Sequence, residues 1–266
     1  MADAMLGCMN AATWGTLAVS AASAGHGADL IKTQHGAASH AWQTPGGDIN
    51  GRLRIDAGVD TFPWRALGLF RTNLSPGAIV TWMLGNDTDF LTPVYDSGPL
   101  ASTVMDGYGQ SVHVLPADIQ ARYAHVDILD TQNPEAFLSV PLVYAGPMIP
   151  RARVGLGTGT SHGRDRDELV TRSRAGQDYV TLRSMRRRWT VEFPTLDAEG
   201  EFWPGIAEVE RVAADGTNVL LIPFPNSVQM PREAVFGRLA ASQDAGWPQV
   251  NEVRQRSWSG IIVERL

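Results

Sequence analysis

The sequence predicts a mainly β protein, and three observations carry that prediction. Short runs of alternating apolar and polar residues recur from Ile49 onward at intervals of about ten residues. Turn-forming residues separate them, with 27 glycines and 16 prolines among 266 residues. Only the stretch "DAEGEFWPGIAEVERVAADG" carries clear helical spacing. Strands at this interval, with turn chemistry between them, indicate a sandwich or a barrel. A hydrophobic content of 44% supplies a core, and a charged content of 19% excludes a disordered, highly charged tail. The formal charge of -6 argues against a general nucleic-acid binder.

Residues 12 to 24 fit a strand or a small-residue helix, and the pattern leaves both open. From His26 to Pro45 the chain is rich in Gly, Ala, Ser and His and reads as an irregular surface segment. In "GRLRIDAG", Leu53 and Ile55 alternate with Arg52, Arg54 and Asp56. "WRALGLFRTNL" places Leu67, Leu69 and Arg71 on one face. "NLSPGA" is a turn, and "AIVTWMLG" is a continuous apolar run expected to be a strand buried on both faces. "PVYDSG" is another short strand.

The stretch 121–147 crowds His125, Asp127, Asp130 and Glu135 together, which raises the question of a catalytic or metal cluster. "RYAHVDILD" alternates, so Tyr123, His125, Asp127 and Leu129 face one way and Ala124, Val126, Ile128 and Asp130 the other. Asp127 and Asp130 therefore cannot form a dyad without a bulge. "TQNPE" is a loop and "FLSVPLVYAG" a return strand, with the carboxylates expected mostly in loop and surface.

Past Arg151 the texture changes. "PRARVGLGTGTSHGRDRDELVTRS" reads as a long exposed loop or hairpin, and "DYVTLRSMRRRWTVEFPTL" as a strand pair. Ile206, Val209 and Val212 repeat at helical spacing, with Gly216 as the stop. "TNVLLIPFP" is a buried strand, "EAVFGRLAAS" a short one, and "RSWSGIIVERL" the last. The organisation predicted is an N-terminal segment or arm over 1–47, a sandwich over 48–148, and a β-rich domain with one helix over 149–266.

"AMLGCMN" superficially resembles a lipoprotein box around Cys8, but no basic or apolar region precedes it, and no signal peptide is expected. No stretch approaches the ~20 apolar residues that span a bilayer. The expectation is a soluble chain made in the cytoplasm, without a membrane partner. A single cysteine excludes an internal disulfide framework and a cysteine-rich zinc site.

Candidate chemistry is sparse. "GLGTGTSHGRDRDE" has glycines that could cradle phosphate, but it lacks the Gly-Lys-Ser/Thr ending and reads as a flexible loop. Asp165, Asp167 and Glu168 have calcium-like spacing without the rest of the EF-hand pattern, and Asp87 with Asp89 reads as a polar turn. His26, His35 and His40 match no zinc arrangement. No Gly-x-Ser-x-Gly elbow occurs, and Cys8 has no nucleophile context. Strand alternation splits Arg186, Arg187 and Arg188 between two faces, which suits a solvated or inter-subunit ion-pairing role. Trp42, Trp64 and Tyr108 could stack on sugar rings, with burial in the core as their default. The reading names no catalytic, cofactor-binding or metal residue and expects no enzyme.

The stretch "WRALGLFRTNLSPGAIVTWML…VYDSG…ARYAHVDILDTQNPEAFLSVPLVYAG" resembles a recurrent module in tail proteins of long-tailed bacteriophages, similar to a galactose-binding jelly roll. Downstream, "RRWTVEF", an acidic helix, "VLLIPFP", "EAVFGRL" and a last strand are also similar to those proteins, so the resemblance covers roughly 50–266. It implies a virion structural protein akin to distal tail proteins. Such a protein forms a homo-oligomeric, hexameric ring that joins the tail tube to tail-tip or baseplate proteins and meets DNA only in passage. Net acidity suits a channel through which DNA slides. In that family the ring domain commonly precedes the sandwich, whereas the order here is reversed. The alternative is a carbohydrate-binding adsorption module for host glycan, using rim loops such as "GNDTDFLTP" or "MDGYGQ". A glycan-cleaving enzyme would need two facing carboxylates about 5 to 10 Å apart, and no pair qualifies.

Overall fold

The computed structural model describes residues 4–101, 103–149, 156–197, 202–243, 249–250 and 253–265. The protein is mainly β, as expected, with 49% strand and 12% helix. The chain begins with β1 (Met5–Gly7), the short helix α1 (Ala11–Trp14) and β2 (Thr16–Val19), then passes through two 3-10 turns to β3 (Trp42–Gln43). Next come β4 (Asn50–Asp56), β5 (Phe62–Phe70), β6 (Ile79–Gly85), β7 (Tyr95–Asp96), β8 (Leu100–Ala101), β9 (Ser111–Ala121), β10 (Tyr123–Leu129), β11 (Ser139–Val140) and β12 (Leu142–Gly146). The remainder forms β13 (Ser161–Arg172), β14 (Asp178–Asp197), α2 (Phe202–Ala214), β15 (Asn218–Ile222), α3 (Met230–Glu233), β16 (Val235–Gln243), β17 (Gln249–Val250) and β18 (Val253–Glu264).

Among the described residues these strands form an outer sheet β2-β4-β10-β6-β7, with β8 also on β6, and a middle sheet β12-β5-β9. The outer sheet turns Leu53, Ile55, Val80, Trp82, Val126 and Ile128 inward onto the middle sheet, as period-two alternation requires. Trp64, Leu67 and Val143 answer from β5 and β12. The jelly-roll sandwich is therefore present, closed around three buried tryptophans, Trp42, Trp64 and Trp82. β5 ends at Phe70, and Arg71 is exposed at φ 61, so it does not share a face with Leu67 and Leu69.

The strand buried on both faces is not the one expected. β6 alternates, with Ile79, Thr81 and Met83 only half-buried on the outside of the sandwich. All five residues of β12 are buried instead. Its second face meets a third layer in which Phe70, Tyr144 and Met148 pack on Leu220, Ile222 and Phe236. The Phe70 and Phe236 rings lie 5.0 Å apart. Each such fully buried side chain contributes about 1.5–3 kcal/mol relative to exposure.

That third layer is the sheet β1-β15-β16-β18-β14-β13. Its far side is covered by α2, whose Ile206 and Val209 pack on Val191, Phe193, Val219 and Trp258. The helix occupies its expected place, and Gly216 at φ 79 follows its end. The stretch 178–197 corrects the expected strand pair. It is one 20-residue strand, and its partner is the adjacent glycine-rich segment, which forms the 12-residue β13. Residues 150–155 of that segment lie outside the described residues.

Within 4–47 the chain pairs with strands of both halves. β1 pairs antiparallel with β15 and β2 with β4. Asn10, 1% exposed, donates to Val143 O at 2.7 Å and accepts from Ala145 N at 2.9 Å, tying α1 to β12.

A polar groove on the outer sheet

Alternation along β4 and β10 puts two short polar rows on the solvent face of the outer sheet. The antiparallel register sets His125 opposite Arg54 and Asp127 opposite Arg52. Arg52 Nε donates to Asp127 Oδ1 at 2.7 Å, and His125 Nε2 lies 3.0 Å from the same oxygen. Burial alone would raise the Asp127 carboxyl, but the hydrogen bonds and charges of His125 and Arg52 outweigh it and hold the group below its ordinary value. The other ring nitrogen, Nδ1, is a second polar atom of the same imidazole. That atom is buried and has no hydrogen-bond partner among the described residues.

The loop after β6 stands over these rows. Phe90 sits at φ 51 and meets the His125 ring edge-on at 4.7 Å. Arg54 donates to Thr88 O at 3.3 Å. Between loop and sheet lies a cavity of about 360 Å³ lined by Ser20, Arg52, Arg54, Thr88, Asp89 and His125 among others. The two guanidinium groups supply donors, Asp89 supplies acceptor oxygens, and His125 lines the wall. This mixture suits a ligand carrying several hydroxyls, each able to donate and accept.

The structure separates most of the residues singled out from sequence. Asp127 and Asp130 do lie on opposite faces, and Asp130, just past the end of β10, is a fully buried exception among carboxylates expected mostly in loop and surface. It accepts from Ser75 N at 2.7 Å, Ser75 Oγ at 2.5 Å and Gln132 N at 3.2 Å, pinning "NLS" to the loop after β10. Asp87 and Asp89 are exposed in the loop over the groove. Asp165 pairs with Arg188 at 3.5 Å on the exposed β13, and Asp167 and Glu168 flank a bulge there. The His35 and His40 rings lie 5.0 Å apart, tilted by 57°, while His26 Nδ1 lies 3.2 Å from Ala41 O. Among the described residues no three His, Cys, Asp or Glu side chains are placed to hold a metal ion. In the glycine-rich segment, Gly159 N–H donates to Glu192 Oε2 at 2.7 Å, which occupies a donor that a phosphate would use.

Trp42 and Trp64 are core residues, 0% exposed, whereas Tyr108 is half-buried and lies 4.5 Å from the Arg187 guanidinium. Cys8 is buried. The arginine triplet divides as alternation requires, but Arg187 turns inward and pairs with Glu264 of its own chain at 2.6 Å, correcting the solvated or inter-subunit role. The groove residues Arg52, Arg54 and His125 were in view as strand residues only. Their signal was the double alternation, Arg-x-Arg and His-x-Asp, which becomes a site once β4 and β10 pair.

No family model and no curated protein matches the chain. Among solved structures it is similar to the lectin domain of lectinolysin complexed with Lewis B antigen, at 20% identity and TM-score 0.41, covering 52% of this chain and 95% of that one. It is also similar to a Streptococcus pneumoniae fucose binding module, SpX-3, at 13% identity and TM-score 0.40, covering 52% and 98%. A third is chitosan-binding module 1 of a chitosanase/glucanase from Paenibacillus sp. IK-5, at 18% identity and TM-score 0.41, covering 52% and 99%. A likeness of this size concerns strand arrangement and identifies no function.

Proposed function

We propose that the protein is a glycan-recognition module that docks through the groove on its outer sheet. The observation that carries this reading is the cluster of Arg52, Arg54, Asp89 and His125 around one open cavity, with a buried imidazole nitrogen left without a partner. Arginine forks and carboxylates hydrogen-bond neighbouring hydroxyls in pairs, and a hydroxyl-rich ring fills a cavity of this size. The role is binding, with no bond made or broken. A glycan array followed by calorimetry on the hits tests it. Binding weakened at least tenfold by Arg54→Ala and by Asp89→Ala supports the reading, and binding left unchanged by both variants rejects it.

A specific feature favours a second, compatible role as a subunit of a larger assembly. The hairpin β13–β14 projects with every residue of β13 exposed, and it carries Leu169, Val170, Tyr179, Val180 and Leu182 at 47–60% exposure. A free two-stranded ribbon is marginally stable, and β13 leaves an edge able to pair. Both features suit a structural subunit of a phage tail, a homo-oligomeric and hexameric ring between tail tube and baseplate with its sandwich facing outward. Light scattering with electron microscopy of the same fraction tests this. Rings support it, and a monomer both alone and in the presence of tail-tube protein rejects it.

A further inference from the structure

A second cavity, of about 330 Å³, opens where the base of the hairpin meets the sandwich loop at Tyr108 and the short helix α3. Its lining includes His162, Arg164, Arg187, Trp189, Arg232 and Glu233, and Tyr108 completes the wall. Three guanidinium groups face one carboxylate. Glu264, behind Arg187, cancels one of those charges by its 2.6 Å ion pair, so the cavity keeps an excess of positive charge.

Two residues that line this cavity carry a buried polar atom without a partner. Arg187 is 7% exposed, and its other nitrogens are committed to Gln110 Oε1, Glu264 Oε1, Arg232 O and Ala234 O. Its Nε has no hydrogen-bond partner among the described residues, and the same holds for Glu233 Oε2. Buried polar groups are ordinarily satisfied, so two residues that line the cavity each carry a polar atom without a partner, a donor on Arg187 and an acceptor on Glu233. The His162 and Trp189 rings, 5.3 Å apart and tilted by 38°, form an aromatic wall next to them.

We propose that this cavity binds an acidic monosaccharide, a sugar ring bearing a carboxylate. The carboxylate answers Arg164, Arg187 and Arg232, a ring hydroxyl donates to Glu233, and the C–H face of the ring lies against His162 and Trp189. A bare inorganic anion presents no C–H face to His162 and Trp189, and a neutral sugar leaves the excess positive charge unmatched. This site is separate from the groove of the outer sheet and shares no residue with it.

Titration of the intact protein with glucuronate, followed by NMR at the His162 ring and the Trp189 indole N–H, tests the proposal. Saturable shifts at both, with His125 unmoved, are expected, together with at least tenfold weaker binding in Arg164→Ala and in Arg232→Ala. Both arginines are exposed, so neither variant threatens the fold. Methyl glucoside should give no such shifts. Absence of shifts with glucuronate overturns the proposal, as do affinities unchanged in both variants. Inorganic phosphate binding as tightly as glucuronate also overturns it, because the sugar ring would then add nothing.

Discussion

Arg187 and Glu264 meet at 2.6 Å with side chains only 9% and 7% exposed, and the pair ties β14 to its neighbour β18. The same guanidinium reaches Gln110 Oε1 in the sandwich at 2.6 Å and the backbone carbonyls of Arg232 and Ala234 at the end of α3. A cation at a helix C-terminus is favourable, but the larger effect is the mutual neutralisation of two buried charges. Arg187→Met should therefore cost about 3–5 kcal/mol in urea unfolding, because Glu264 is left buried and unpaired. Adding Glu264→Leu should return part of that loss. A single-variant cost of about 0–1 kcal/mol, the value of an exposed pair, would refute this account.

Two carboxyls set an expected acid limb. The Arg122 side chain binds Asp56 at 3.0 and 3.1 Å and, with lesser help from the Gly58 N–H, holds its carboxyl below the ordinary range. Asp127 is depressed as well, the His125 and Arg52 contacts outweighing burial. Each group has a lower pKa folded than unfolded, so its stabilisation is complete above the unfolded value, near 4, and lost as pH falls through the depressed folded value. The carboxyl loss in melting temperature should set in below about pH 5, on top of a shallower fall from neutral pH where the unfolded chain takes up a proton that buried His113 resists. Asp127→Asn should make that fall shallower, and an identical slope in wild type and variant would count against the linkage.

Legibility in the sequence followed the range of the interactions. The alternation in 50–56 and 123–129 and the Ile206–Val209–Val212 repeat depend on neighbours a few residues away, and each element stands where the pattern put it. The double-sided burial of "LVYAG" depends on Leu220 and Phe236, far along the chain, and "AIVTWMLG" looked more apolar while lying in an outer sheet. Met5–Gly7 joins a strand more than two hundred residues away, which no local signal announces. Arg187 could be assigned a face but not a partner, because Glu264 and Gln110 arrive from other elements. At the outer-sheet groove the two alternating rows were visible, and their pairing was not.

Cys8 offers an unfolding reporter. Burial, followed by the nearby Glu208 charge, pushes its thiol up to about 11. The reactive thiolate is then scarce at pH 8, where a free cysteine near 8.5 is substantially ionised. Labelling of the native protein by a disulfide reagent should run at least about a hundredfold slower than labelling of the urea-unfolded chain. Its urea dependence should track loss of tryptophan fluorescence. Rapid labelling under native conditions would show that the α1–β1 end opens on its own.

The hairpin separates assembly from stability. Val170 and Val180 are directly paired near its free end, at 51% and 57% exposure, so they share a face and add little to the monomer's own core. The double variant Val170→Ser/Val180→Ser introduces no charge and keeps the ribbon's register. Its unfolding free energy should match the wild type within the small range of surface substitutions, about 0.5 kcal/mol each way. If the ribbon seats against a second copy, light scattering should give masses above 28.8 kDa for the wild type and a shift toward that monomer mass for the variant. Equal mass distributions for the two proteins would remove the ribbon from the assembly surface while leaving the groove on the outer sheet untouched as a glycan site.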